Sequence, residues 1–336
     1  MQRKFSHWSF WPFYFFLLTA CLTLQISGLS IGRWGRDAAT LQLAIETGGR
    51  LGTDSAGDLA VAMLTPWLGV GPFPNLLATV FVAYVVGRLA FQGSMRELVL
   101  VLFLSFPMIY QLQFVAKESV VVSFAAALFA VFAASASGWG RAISVFCGLA
   151  LMAMVFRSYY WVSLGAAVTF YLLGTSRLLL PALACGLVAA GLIEPVREAL
   201  LHGRYLVHRN VSEAAVSLIP SHFSGHTAID LVGGYVTSTF HFLTPLLQGV
   251  RVQEFYMQLY VVLAVVLCRT VLRHGDRAMG SAFLGIVCTF ALFVAELGTL
   301  ARHLSAVMPL AFMALYFAKP VEAQQNLRSD GTALIA

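Results

Sequence analysis

The sequence predicts an all-α fold: a polytopic transmembrane helical bundle of about ten spanning helices with one long periplasmic loop. Two observations predict it. The 336 residues are 59% hydrophobic and only 11% charged, far more apolar surface than one soluble core of this size would bury. The charges that remain also sit between apolar runs: from 98 to 176, four such runs are separated only by Lys117, Glu118, Arg141 and Arg157. A charge near the bilayer centre costs about 2.5–3.5 kcal/mol, so these four mark membrane boundaries or a polar site.

The net charge of +6 is spread over short loops with no basic stripe, which is the pattern of topology signals and excludes nucleic acid as a partner. The five cysteines, Cys21, Cys147, Cys185, Cys268 and Cys288, all fall in apolar runs, so neither a disulfide framework nor a metal site is expected. Leu18-Thr19-Ala20-Cys21 has the form of a lipobox, but its apolar run continues to Ile31 and is long enough to span, which favours an uncleaved first helix.

Arg3 and Lys4 precede helix 1, about 8–31, whose Trp8, Trp11, Phe13 and Tyr14 suit the headgroup zone, so the N-terminus is expected to be cytoplasmic. Residues 32–57 form a polar outer loop containing Asp37. The run 59–71 is too short to cross about 30 Å of hydrocarbon and reads as re-entrant or interfacial; Pro72 and Pro74 separate it from a second helix at 75–92. Two helical hairpins follow, about 98–116 with 119–136 and 142–156 with 159–175, tipped by Lys117-Glu118 and by Arg157-Ser158-Tyr159-Tyr160. Arg141 lies in the turn between them. A seventh helix covers about 178–193.

Residues 194–254 make the long polar connection, with His202, His208, His222, His226 and His241 among the eight histidines. Within it, 231–250 carries no formal charge. Were it to span, Arg269, Arg273 and Arg277 would fall outside, against the positive-inside rule, so it is expected to lie along the outer leaflet. Three more helices follow, about 254–272, 279–296 and 304–318, with Glu296 to His303 as a third polar outer tip. Residues 1–319 thus form a single transmembrane domain, and 320–336 form a disordered cytoplasmic tail.

Three outer tips carry a cation each: Lys117, Arg157 and Arg302. Any one of them alone reads as a snorkelling anchor. Together they offer what a lipid-linked phosphate needs, since arginine grips phosphate through a planar fork and lysine adds a point charge. Sugar transfer from such a lipid also needs a group to take the acceptor's proton, and Asp37, Glu118 and Glu296 are the carboxylate candidates. Tyr159 and Tyr160 flank the second tip. His222 and His226 have the i, i+4 spacing that places two imidazoles on one helix face, but Gly225 interrupts it and no third ligand follows, so a histidine base is the better reading than a metal. No Gly-rich nucleotide loop is present, and no cofactor is expected.

Phe106-Pro107 followed by Ala116-Lys117-Glu118, then Arg157-Ser158-Tyr159-Tyr160, then Gly298-Thr299-Leu300-Ala301-Arg302 with Pro309, make a pattern that resembles bacterial integral-membrane polysaccharide polymerases of the Wzy and EpsG type, within the lipid-phosphate-sugar glycosyltransferases. The resemblance implies a bacterial inner membrane and polymerisation or transfer of undecaprenyl-phosphate-linked glycan units on its periplasmic face. Lipid-linked oligosaccharide, membrane lipid and other polysaccharide assembly proteins would then be the partners. The long loop holds only Arg197, Arg204, Arg209 and Arg251, which leaves polymerase and single-sugar transferase both open. A flippase for the same lipid-linked material, or a non-catalytic scaffold subunit, remains the alternative class.

Overall fold

The computed structural model describes residues 19, 99–100, 103–108, 118–134, 138–155, 159–194, 196–198, 227–243, 255–293 and 297–318. Every element among them is helical. In chain order the helices are α1 (Glu118–Ala134), α2 (Gly138–Val155), α3 (Tyr160–Leu173), α4 (Leu179–Leu192), α5 (Ala228–Leu243), α6 (Phe255–His274), α7 (Arg277–Phe293) and α8 (Leu297–Phe317). Three of these contain stretches long and apolar enough to cross a membrane: Gly138–Val155, Phe255–His274 and Leu300–Phe317. Apart from Thr19, the expected helices at 8–31 and 75–92, the segment 59–71, the loop 32–57 and the tail 320–336 lie outside the described residues.

The bundle is centred on α7 and α8. Nearly every residue of α7 from Ala278 to Leu292 is buried, and α8 is buried along most of its length from Leu300 to Phe317. The outer helix α2, by contrast, exposes Trp139, Ile143, Leu151 and Met154, an apolar surface suited to lipid. Small residues give α7 its central place. A Cβ at Gly285 would stand 2.5 Å from the Ser163 carbonyl oxygen and 2.9 Å from the Ala167 Cβ, so only glycine lets α3 and α7 approach this closely. Ser163 and Ala167 on one helix face Gly285 and Thr289 on the other, each pair four residues apart, which is the small-residue spacing of membrane helix interfaces. The Ser163 and Thr289 hydroxyls hydrogen-bond across it at 2.8 Å.

At one end, hereafter the arginine end, α1, α3, α6 and α8 finish while α2 and α7 begin. Asp276 is the N-cap of α7: its Oδ1 accepts the Ala278 and Met279 backbone N–H groups at 3.1 Å each. Its Oδ2 accepts from Arg141 Nη1 at 3.3 Å, and its own N–H donates to the Ala314 carbonyl at 2.7 Å, tying α7 to α8. The Arg141 guanidinium also lies 5.4 Å from the Phe132 ring centroid and 5.2 Å from that of Phe317. Arg277 donates from Nε to the Tyr171 carbonyl and from Nη2 to that of Leu172, closing the C-terminal end of α3. Gly174, at φ 52°, then turns the chain out of α3, and its N–H donates to the Phe170 carbonyl at 2.8 Å.

Two boundaries differ from the sequence expectation. Arg141 lies in the first turn of α2 rather than in the preceding turn, because Asp276 and two aromatic faces compensate its charge inside the helix. The expected polar tip at 296–303 is helical from Leu297, so Arg302 lies in the second turn of α8. At 1.5 Å per residue it is still only about 8 Å from the helix start, a depth compatible with the headgroup zone.

The uncharged stretch within 231–250 also has a distinct geometry. Thr227 and Asp230 form a reciprocal cap for α5: the Thr227 N–H donates to Asp230 Oδ2 at 3.0 Å, and the Asp230 N–H donates to Thr227 Oγ1 at 3.2 Å. Leu231 then packs on Leu292, and one turn later Tyr235 reaches the Cys288 thiol. Contacts that step forward along α5 and backward along α7 mean that the two helices run in opposite directions.

A candidate functional site at the tyrosine end

The opposite end of the bundle is built by the starts of α1, α3 and α8 and the finish of α7. Tyr159 caps α3 with its backbone, its carbonyl accepting from the Val162 N–H at 3.0 Å. Its ring stacks on Phe293, the last residue of α7, with centroids 5.8 Å apart and planes at 26°. One turn back along the same helix, the Phe290 ring meets His303 at 5.3 Å. His303 adjoins Arg302, and both are half-buried in the opening turns of α8. An aromatic strip thus runs from Tyr159 over the end of α7 to the Arg302-His303 pair.

Helix α1 joins this end by its register. Phe129 and Phe132 pack on Phe317, and Phe129 also on Tyr316, so α1 and α8 finish together and run parallel. As many residues separate Phe132 from Glu118 as separate Phe317 from His303, which sets the start of α1 level with the Arg302-His303 turn. The described neighbours of the three candidate cations, Glu118 beside Lys117, Tyr159 near Arg157, and Arg302 itself, therefore share one end of the bundle. Lys117 and Arg157, with the candidates Asp37, Glu296, His222 and His226, lie outside the described residues.

Tyr160 is fully buried in the core and packs against Tyr159, 4.9 Å between centroids. A ring so enclosed orients its neighbour; Tyr159 is half-buried. His303 is a group that the sequence reading passed over. Its only sequence signal is adjacency to Arg302, since a single histidine beside an arginine has no distinguishing spacing.

A second feature behind the site was also illegible. Residues 103–108 are helical and contain Pro107, which has no N–H for the carbonyl of Phe103 four residues earlier. Tyr256 of α6 compensates, donating its hydroxyl to the Phe103 carbonyl at 3.3 Å, and Tyr260 donates to the neighbouring Leu104 carbonyl at 2.9 Å. Their rings close around Phe103, with centroids at 4.8 and 6.2 Å. In an apolar surrounding a freed backbone carbonyl needs such a donor, so α6 braces the helical segment around Pro107.

No protein family, curated relative or solved structure matches the chain.

Proposed function

We propose that this membrane protein polymerises or transfers undecaprenyl-phosphate-linked glycan units at the tyrosine end of the bundle, on the periplasmic face of a bacterial inner membrane, during surface polysaccharide biosynthesis. The observation that carries the reading is the seat of Arg302. It stands on α8, a central helix, flanked by the fully buried Ala301 and Leu304. A cation that served only to anchor lipid headgroups would be expected on an outer helix such as α2. The reading further rests on the starts of α1 and α3, next to Lys117 and Arg157, lying at that same end.

The chemistry is a substitution at the anomeric carbon of the lipid-linked sugar. The acceptor hydroxyl oxygen forms the new C–O bond, the bond to the lipid phosphate oxygen breaks, and the acceptor's proton passes to a base. Lys117, Arg157 and Arg302 neutralise the departing phosphate. Glu118, Glu296 and Asp37 are the candidate bases, and His303 joins them because it adjoins Arg302.

Deleting the gene and sizing the lipid-linked glycan in each leaflet tests this. Single repeat units accumulating on the outer leaflet support a polymerase. Accumulation on the inner leaflet would replace the reading with a flippase, and unchanged surface glycan would remove both.

A further inference from the structure

We propose that the arginine end carries a binding site for the phosphate headgroup of an anionic phospholipid, in a cavity of about 340 Å³ between the C-terminal turn of α3 and the α6–α7 turn. This site shares no residue with the proposed glycan site and stands or falls separately.

Its lining combines two guanidinium groups, Arg273 and Arg277, with the Thr175 side chain and the apolar walls Phe170 and Leu284. The charge in it is uncompensated. Asp276 is the one carboxylate among the lining residues, and it is already engaged by Arg141 through Oδ2 and by the start of α7 through Oδ1. Arg277 directs Nε and Nη2 to the carbonyls of α3, and Arg273 makes no hydrogen bond or ion pair among the described residues. Two cations beside one spent carboxylate hold an anion between them or repel one another, and arginine's fork matches phosphate oxygens.

The surroundings select a lipid as the source of that phosphate. Leu172, Leu178 and Leu180 are 62%, 63% and 77% exposed around the same turn. Trp139 is 73% exposed and packs edge-on to Tyr171 with centroids 6.4 Å apart, as expected of an aromatic at headgroup depth. An apolar rim at the mouth of a basic cavity between membrane helices accommodates acyl chains outside and a headgroup within.

The test uses the purified full chain in neutral detergent, titrated with phosphatidylglycerol or phosphatidylcholine and followed by native mass spectrometry. Melting temperature measured without lipid serves as the folding check. Phosphatidylglycerol should be retained about tenfold more tightly than phosphatidylcholine, whose choline cation cancels the phosphate charge that the two arginines meet. Arg273→Gln should erase that preference. Thr175→Glu, which brings a carboxylate to the cavity from an exposed turn, should erase it independently and decides the matter if Arg273→Gln misfolds. Equal retention of the two lipids, or an undiminished preference in a folded variant, overturns the proposal. Displacement of phosphatidylglycerol by millimolar inorganic phosphate alone would mark a soluble-anion site and overturn the lipid assignment.

Discussion

Arg141 and Asp276, 135 residues apart in the chain, meet at 3.3 Å and join the start of α2 to the start of α7. Both are largely shielded, with side-chain exposures of 21% and 16%. The carboxylate has two duties, since it also caps α7. Replacing Asp276 with Ala removes the cap and leaves a shielded guanidinium without its carboxylate, a combined loss of about 2–4 kcal/mol. Asp276→Asn keeps an acceptor oxygen for the cap and should lose about half as much. Thermal unfolding in detergent, with Arg141→Gln completing a double-mutant cycle, checks the ranking; equal losses for the Ala and Asn variants would show that the cap contributes nothing.

Gly285 gives a second prediction. A methyl group there meets the Ser163 carbonyl at 2.5 Å and the Ala167 backbone nitrogen at 2.8 Å, atoms that cannot swing aside. Gly285→Ala should therefore destabilise by about 1–3 kcal/mol, as overpacked cores do. Gly165→Ala, where nothing lies within 4 Å of the new methyl, is the matched control on the partner helix and should be neutral or slightly stabilising. Melting temperatures of the two variants decide it.

Helix positions were legible because apolar runs and isolated charges are a strong signal. The boundaries expected at 119–136, 159–175, 178–193, 254–272 and 279–296 fall within a few residues of α1, α3, α4, α6 and α7. Errors arose where a charge was treated as a marker of the helix end. Arg141 and residues 297–303 fell outside their expected helices on that assumption, yet Asp276, Phe132 and Phe317 accommodate Arg141 inside α2. Such partners are distant in sequence, so no local pattern announces them. The direction of α5 was hidden for a similar reason, since its contacts with Leu292 and Cys288 set it. Of the candidate site, Arg302 was readable as a charge in an apolar context. His303, Tyr256 and Tyr260 were not, because their roles rest on which ring or carbonyl faces them.

The Pro107 brace predicts a selective rescue. Tyr260→Phe leaves the buried Leu104 carbonyl without its hydroxyl donor and should cost about 1–3 kcal/mol, whereas Tyr256→Phe, with the longer bond at 3.3 Å, should cost less. Pro107→Ala restores an N–H four residues after Phe103. It should therefore offset the Tyr256→Phe loss while leaving the Tyr260→Phe loss in place. Unfolding of the two single and two double variants measures this; a rescue of both tyrosine variants alike would mean that the tyrosines do not act through the individual carbonyls.

Sidedness follows from the arginine end. Arg141, Arg273 and Arg277 line it and Arg177 lies within its α3–α4 turn, so by the positive-inside rule that end is expected to face the cytoplasm. Reporter fusions at Ser137 and His274 should read cytoplasmic, as should one at Ser94, and one at Ser212 should read periplasmic. A periplasmic signal at Ser137 together with His274 would invert the protein and move the proposed glycan site to the cytosolic side.

The sharpest expectation concerns Arg302 and His303. If the arginine grips a lipid-linked phosphate, Arg302→Ala should abolish glycan product while the protein still inserts, and Arg302→Lys should recover little, because an ammonium supplies charge without the planar fork. A structural role predicts a different pattern, in which both variants lose melting temperature in proportion to lost product. His303→Gln separates the two residues further. Its ring rests on Phe290, so a glutamine keeps a polar side chain of similar reach but cannot take up a proton at neutral pH. Loss of turnover with retained binding of the lipid-linked donor would make His303 the base, and full turnover would return that task to Glu118, Glu296 or Asp37. The measurements are product length and donor binding on the same purified variants, with melting temperature as the control that keeps a folding defect from passing as a catalytic one.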